Sequence, residues 1–192
     1  MTDPHHFYTS RLRIEALSLR HASIVFPAQL DPLIYQFIPD DPLSLEELTR
    51  RYSFLEGAKS PDGTEHWLNW VAFDREGHAV IGTFQATVPS DGTTSIAYTV
   101  FPPFWGQGYA TEIGLCMLSH IFNTYSPSSV IAEIDTRNTA SIRLVERWGF
   151  CKSKLTHNVD FFKGASSDEY TYSMTSSTWM RTNHSRNPLK IK

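Results

Sequence analysis

The sequence predicts a mixed α/β (α+β) fold: one mostly antiparallel sheet of about seven strands, flanked by about four helices. Three observations point there. Between residues 67 and 101, three β-type apolar runs are separated only by tight-turn signals, the pattern of antiparallel neighbours. Two later segments, 109–122 and 138–148, carry apolar residues at helical spacing, and each is followed by a β-type run. No internal repeat or Pro/Gly-rich linker divides the chain, and its 192 residues suffice for one domain with a sizeable core.

Each element has a local reason. Residues 11–16 alternate, with Leu12, Ile14 and Ala16 apolar, and read as the first strand. Residues 18–30 fit a helix entered at Ser18 and weakened by Pro27. Asp40-Asp41-Pro42 is a turn. Ser44 with Glu47 three residues on forms a capping-box pattern, which opens a second helix ending near Gly57. Ser60-Pro61-Asp62-Gly63 is a loop.

Strands follow at 67–73, 79–88 and 93–101, joined by turns at Asp74-Arg75-Glu76-Gly77 and Pro89-Ser90-Asp91-Gly92. The next helix buries Ile113, Met117 and Ile121 at i, i+4 and i+8, with Leu118 and Phe122 beside them. A strand at 130–135 precedes a helix at 138–148, where Ile142, Val145 and Trp148 fall at i, i+3 and i+6. Strands at 152–161 and 168–174 join through Lys163-Gly164. The order is β-α-α-β-β-β-α-β-α-β-β.

Composition narrows the class. The formal net charge of -3 argues against a general nucleic-acid binder, DNA included. Residues 180–192 hold Arg181, Arg186, Lys190 and Lys192 and no acid. They read as a basic, disordered tail behind a single domain at 1–179. Without those four, 13 basic residues face 20 acidic ones, a balance of -7 that leans toward a polycationic partner. Cys116 and Cys151 are far apart and in no metal-like spacing, as in a reduced cytoplasmic protein. No His pair or Cys-x-x-Cys suggests a metal. No apolar run resembles a signal peptide or is long enough to span a bilayer.

Two constellations carry chemistry. The β-type run 96–100 stops at Pro102-Pro103, and Phe104-Trp105-Gly106-Gln107-Gly108-Tyr109-Ala110-Thr111 leads into a helix. Glycines at a helix start let backbone N–H groups approach an anion closely, at the positive end of the dipole. The segment reads as a pyrophosphate cradle. It is not a Walker loop, since Tyr109-Ala110 stands where Lys-Ser/Thr is needed, and Thr111 stands where a dinucleotide fingerprint needs its third glycine. The prolines have no N–H, so the strand cannot continue its ladder beside the cradle. The second constellation is Asn138-Thr139-Ala140-Ser141 with Trp148-Gly149-Phe150. By itself it is also a plain helix N-cap and C-cap.

Together the two resemble the GNAT superfamily of N-acetyltransferases. The segment from Phe104 through Glu112 is similar to its acetyl-CoA motif, Arg/Gln-x-x-Gly-x-Gly/Ala. Asn138-x-Ala140-Ser141 with Glu146-Arg147-Trp148-Gly149-Phe150 is similar to its second segment. Pairing and spacing resemble the RimJ/RimL-type branch, which acetylates ribosomal-protein N-termini. The likeness runs from Ser10 to about Thr175.

The resemblance implies a GNAT fold, acetyl-CoA as acyl donor, no metal, and an amine acceptor: a protein N-terminus or a small amine such as a polyamine or aminoglycoside. A homodimer is compatible with it. It places the donor on Val100, Phe101, Gly106, Gln107, Gly108, Tyr109, Ala110, Thr111, Asn138 and Ser141. Asn138 would hold the pantetheine arm, and a freed N–H near Phe101 would serve the thioester oxyanion. The Tyr that protonates the thiolate in other branches is replaced by Val145, and Ser141 is the substitute acid.

The general base stays open. Glu65 is the first candidate, beside His66, Glu133, Asp135, Tyr98 and a water chain to a carboxylate. With that Tyr missing and the base unassigned, a non-catalytic acyl-CoA-binding module remains the alternative.

Overall fold

The computed structural model describes residues 6–90 and 92–184. The strands are β1 (His6–Tyr8), β2 (Leu12–Ala16), β3 (Glu65–Asp74), β4 (Val80–Pro89), β5 (Thr93–Val100), β6 (Ser129–Asp135), β7 (Cys151–Phe162) and β8 (Ala165–Thr175). The helices are α1 (His21–Gln29), α2 (Leu45–Leu55), α3 (Tyr109–Tyr125), α4 (Thr139–Trp148) and α5 (Ser176–His184). They build one eight-stranded sheet in the order β1-β2-β3-β4-β5-β6-β8-β7. Every neighbouring pair is antiparallel except β5 and β6, and α3 is the crossover that a parallel pair requires.

Two elements exceed the expected seven strands and four helices. β1 is three residues long, too short to show a period, and exists because His6 to Tyr8 pair with Glu15 to Arg13. α5 runs through Met180 into the segment expected to be tail; residues 185–192, like Asp91 of the expected turn, lie outside the described residues.

Local rules hold elsewhere. Ser44 and Glu47 complete the capping box, with Ser44 N–H on Glu47 Oε2 at 2.9 Å and Glu47 N–H on Ser44 Oγ at 3.3 Å. α1 starts at His21 rather than Ser18, whose N–H is spent on the His21 ring at 3.0 Å.

Both faces of the central strands are covered, so successive residues serve different layers. Trp70 and Phe84 pack with Ile113, Met117, Ile121 and Trp148 under α3 and α4. Val71, Phe73 and Phe101 pack with Leu48 and Tyr52 under α1 and α2. A Cβ on Gly114 of α3 would fall 2.0 Å from the Trp148 ring, so that glycine sets how closely α4 approaches.

The sheet opens at one place. β5 pairs with β6 only from Thr93↔Ser129 to Ser95↔Ile131. Beyond Ser95 the two strands part, and the edge of β5 from Ile96 to Val100 faces a cleft.

Candidate active site

The glycine turn lies at one end of that edge. Pro102–Phe104 form a short 3-10 turn, and Gly108 caps α3 with φ at +82°, a left-handed conformation that glycine adopts without strain. Among the described residues, the N–H groups of Gly106, Gln107, Gly108, Tyr109, Ala110 and Thr111 make no hydrogen bond; the first bonded amide is that of Glu112, on the Gly108 carbonyl at 3.2 Å. Gly106, Gln107 and Gly108 are exposed. Six free amides at a helix start form an anion site.

The side chains around them are committed to shape. Gln107 Nε2 donates to the Pro103 carbonyl at 2.9 Å, and Trp105 Nε1 donates to the Val100 carbonyl.

The sequence reading missed the cation here. Arg11, just before β2, grips Glu112 of α3 through Nε and Nη2, both at 2.7 Å, and donates to the Gln107 carbonyl at 3.0 Å. Its guanidinium lies over the Tyr109 ring, and its Nη2 lies 3.6 Å from where a Gly108 Cβ would be. Burial pushes the Glu112 carboxyl up, but hydrogen bonds from Thr9, Arg11 and Ser10 outweigh it and hold the group below its usual range. No local pattern marks this pair, whose members are about a hundred positions apart.

Two cavities meet at the splay, sharing Ile38, Ala97 and Tyr98. The larger, about 320 Å³, lies between the sheet and α1 and α2. The smaller, about 220 Å³, lies in the gap between β5 and β6, and Asn138, Ser141, Asp160 and Glu169 line it. Asn138 caps α4 through Oδ1, which accepts from Ser141 N–H at 3.1 Å, leaving its Nδ2 unpartnered among the described residues. Ser141 Oγ lies 2.6 Å from the Tyr98 hydroxyl. Burial pushes Tyr98 up to about 12, so it stays a neutral phenol.

Near Phe101 the backbone N–H groups differ in whether they are bonded. Phe101 N–H is bonded to the Ile81 carbonyl at 2.9 Å, and the Phe101 side chain is buried under α1 and α2. Backbone groups alternate sides along a strand, so with Phe101 turned to β4, the N–H groups of Tyr98 and Val100 face the splay.

The base candidates separate as well. Glu65 accepts the Trp67 indole N–H at 2.7 Å and lines neither cavity. It lies roughly 13 Å along β3 from Asn69, the nearer of that strand's two cavity residues, toward the end where β5 and β6 are still paired. His66 packs on Tyr125, also outside. Asp135 is locked by Arg137 and Ser167, which hold it at about 2, too weak a base at neutral pH.

Glu133, Asp160 and Glu169 remain on the smaller cavity. Of these, Glu169 is half-buried, and burial first, then Glu133 and Asp135, push its carboxyl up. Among the described residues no cluster of His, Cys, Asp and Glu is arranged to hold a metal ion, and no helix is long and apolar enough to cross a membrane.

This geometry has counterparts. The model of the family described as "Acetyltransferase (GNAT) domain" matches residues 11–151. An uncharacterized N-acetyltransferase of Bacillus licheniformis, p20, is 24% identical over 169 residues, 87% of this chain and 94% of that protein. The FsC-acetyl coenzyme A-N(2)-transacetylase of Aspergillus fumigatus is 28% identical over 191 residues, 91% of this chain and 77% of that protein.

Two solved structures share the fold. The ribosomal-protein-S5-alanine acetyltransferase of Vibrio fischeri superposes with a TM-score of 0.79 at 16% identity, over 91% of this chain and 98% of that chain. The spermidine N-acetyltransferase of Vibrio cholerae, in complex with CoA and spermine, gives 0.76 at 18%, over 89% of this chain and 99% of that chain. The free amides before α3, the parted strands and the family match lead to one conclusion: this chain belongs to the GNAT acetyltransferases and is an acetyl-CoA-dependent N-acetyltransferase.

Proposed function

We propose that the enzyme acetylates a primary amine delivered to the junction of the two cavities, and that it is a cytoplasmic member of the RimJ/RimL-type branch with no DNA partner. A homodimer is compatible with this reading. The observation that carries it is the juxtaposition of Tyr98 and Ser141 at the splay, beside the unbonded edge of β5. The branch assignment is supported by Ser141 standing in the Asn138 helix, where Val145 replaces the Tyr of other branches.

In this reading the amides from Gly106 to Thr111 and the Arg11 guanidinium bind the donor diphosphate, and Asn138 Nδ2 reaches the pantetheine arm. An α-amine has a pKa of about 8, so the arriving ammonium must lose a proton, which Glu169 takes through water. The nitrogen then bonds to the thioester carbon. The N–H groups of Tyr98 and Val100 receive the oxyanion. On collapse the C–S bond breaks, Ser141 Oγ–H protonates the leaving sulfur, and the second proton of the nitrogen returns through water to Ser141.

The test is free-thiol release from acetyl-CoA across a panel of amines, with CoA affinity measured by calorimetry. Amine-dependent release that falls tenfold or more in Ser141→Ala, at unchanged CoA affinity, supports the assignment. Tight CoA binding with no amine-dependent release refutes it.

A further inference from the structure

The hairpin of β7 and β8 carries a wide break in register. Thr156 stands opposite Glu169 and Asp160 opposite Ser167, so His157, Asn158 and Val159 together face the single residue Asp168. Extra residues in one strand lose their ladder hydrogen bonds, so a bulge needs other partners to hold it. Asn158 sits at φ +52°, a left-handed conformation that asparagine tolerates better than most side chains.

Asp168 supplies those partners. Its Oδ1 accepts the Asn158 N–H at 3.0 Å, and its Oδ2 lies 2.8 Å from His157 Nδ1. These contacts, the Asn158 amide first, hold the Asp168 carboxyl below its usual range. Ser166 Oγ adds a bond to Asn158 Oδ1 at 2.7 Å. The Asp168 carbonyl in turn accepts the Thr136 N–H at 3.0 Å. One residue therefore ties the bulge to the turn that leads into Asn138 and α4.

The bulge shapes the smaller cavity. Successive side chains of a regular strand point to opposite faces. Asp160 and Phe162 line the cavity as alternate residues, yet Val159, next to Asp160, lines it too. The broken register is what lets neighbours share one face. Asp160 spends Oδ1 on the Phe161 N–H at 2.7 Å, and its Oδ2 has no partner among the described residues. The bulge thus delivers one open carboxylate oxygen to the lining that holds Ser141 and Glu169.

The other acids are placed differently. Asp40 and Asp41 line the larger cavity, together with Arg51. Asp135 is held by Arg137 and Ser167, and Glu133 stands on the regular strand β6. Asp160 is the carboxylate whose position depends on a device outside the cavity.

We propose that Asp160 is a specificity-determining residue whose free oxygen docks the ammonium of the acceptor, and that Asp168 is the positioning residue that holds it there through the bulge. This rests on the transferase reading above. Asp160 pairs the ammonium as it arrives, and Glu169 takes the proton through water. Loss of Asp160 therefore weakens amine capture and leaves the chemical step in place.

The test measures thiol release from acetyl-CoA with leucinamide and with spermidine, in wild type, Asp160→Asn, Asp168→Ala and the double variant. Asp160→Asn is expected to raise the KM of each amine that turns over about fivefold or more, with kcat and the KM for acetyl-CoA little changed. Asp168→Ala is expected to do the same, and to add almost nothing in the Asp160→Asn background. Hydrogen exchange over residues 157–160 is expected to quicken in Asp168→Ala while the rest of the sheet keeps its protection. If Asp168→Ala does not fold, Asp168→Asn, which keeps one acceptor oxygen, gives the same comparison with a smaller rise. An amine KM unmoved by Asp160→Asn overturns the docking role. Additive losses, or a released bulge with an unmoved amine KM, overturn the positioning role. If neither amine releases thiol although CoA binds, the transferase reading is what fails. Calorimetry of each amine against the CoA complex then decides the docking role: affinity lost in Asp160→Asn supports it, and equal affinity or no binding overturns it.

Discussion

The Tyr98 hydroxyl and Ser141 Oγ meet at 2.6 Å where the two cavities join. Tyr98 has one hydrogen, and among the described residues its other acceptor is the Ser141 carbonyl at 3.4 Å. Either hydroxyl can donate in this pair, and the proposed acid role of Ser141 requires the Tyr98 hydrogen on Ser141 Oγ. That leaves the serine's own hydrogen free to point at a leaving sulfur, and polarises it. Stacking on Phe84 and edge contact with Trp148 at 4.8 Å hold the phenol in place.

In the proposed mechanism Tyr98 is a positioning residue for Ser141. Tyr98→Phe is expected to lower kcat about fivefold, the worth of one neutral hydrogen bond, with the KM for acetyl-CoA unchanged. In a Ser141→Ala background the same change is expected to cost almost nothing. A double-mutant cycle on kcat checks this; equal losses in both backgrounds would mean that Tyr98 acts through packing alone.

Gly108 puts its amide at the centre of the cradle with φ at +82°. In the proposed reading Gly108→Asp places a carboxylate where the diphosphate would sit, beside six amides that can then bond it internally. CoA binding is expected to vanish in calorimetry, and the melting temperature to fall by the strain of a side chain at that positive φ. Unchanged affinity in the folded variant would remove the cradle assignment.

The Arg11–Glu112 pair gives a second, separable handle on the donor. Glu112→Gln weakens the grip on Arg11, and Arg11→Ala removes the cation. Each is expected to raise the KM for acetyl-CoA about tenfold, with kcat much less affected. The wild-type KM is expected to climb with salt, and that climb to flatten in Arg11→Ala. Steady-state kinetics at two ionic strengths decide it; equal salt dependence would place Arg11 away from the donor.

Glu169 links catalysis to stability through pH. Its carboxyl is raised above the usual value, so the fold retains this proton to higher pH than the unfolded chain does. The site's contribution to stability is therefore fully present below the unfolded pKa and is lost as pH rises through the folded one. Glu169→Gln is expected to raise the melting temperature at neutral pH, with the gain disappearing below about pH 4. The same variant is expected to lose the acidic limb of the kcat/KM profile and on the order of a hundredfold in rate. A retained acidic limb would transfer the base to another carboxylate of the cavity.

The helices and strands with a strong period were legible because their signals are local. The Ser44–Glu47 box, the Ile113-Met117-Ile121 stripe and the Gly106-Gln107-Gly108 turn each lie within a few residues, where propensity and capping act. β1 was not, because three residues carry no period, and its strand state comes from pairing with β2. Which amide near Phe101 lies free was not legible for a related reason. Which side a strand amide faces depends on the register with β4, and a shift of one residue reverses it.

The sequence by itself determined the fold family and the acyl donor, because contiguous segments encode a glycine turn at a helix start and a capped helix after a strand. Only the tertiary structure decided the rest. It brought Arg11 to Glu112 across about a hundred residues, set Tyr98 against Ser141, took Glu65 out of the site and put Glu169 into it. Those relations depend on strand order, register and where β5 parts from β6. They arise from packing between distant segments, and no run of neighbouring residues records them.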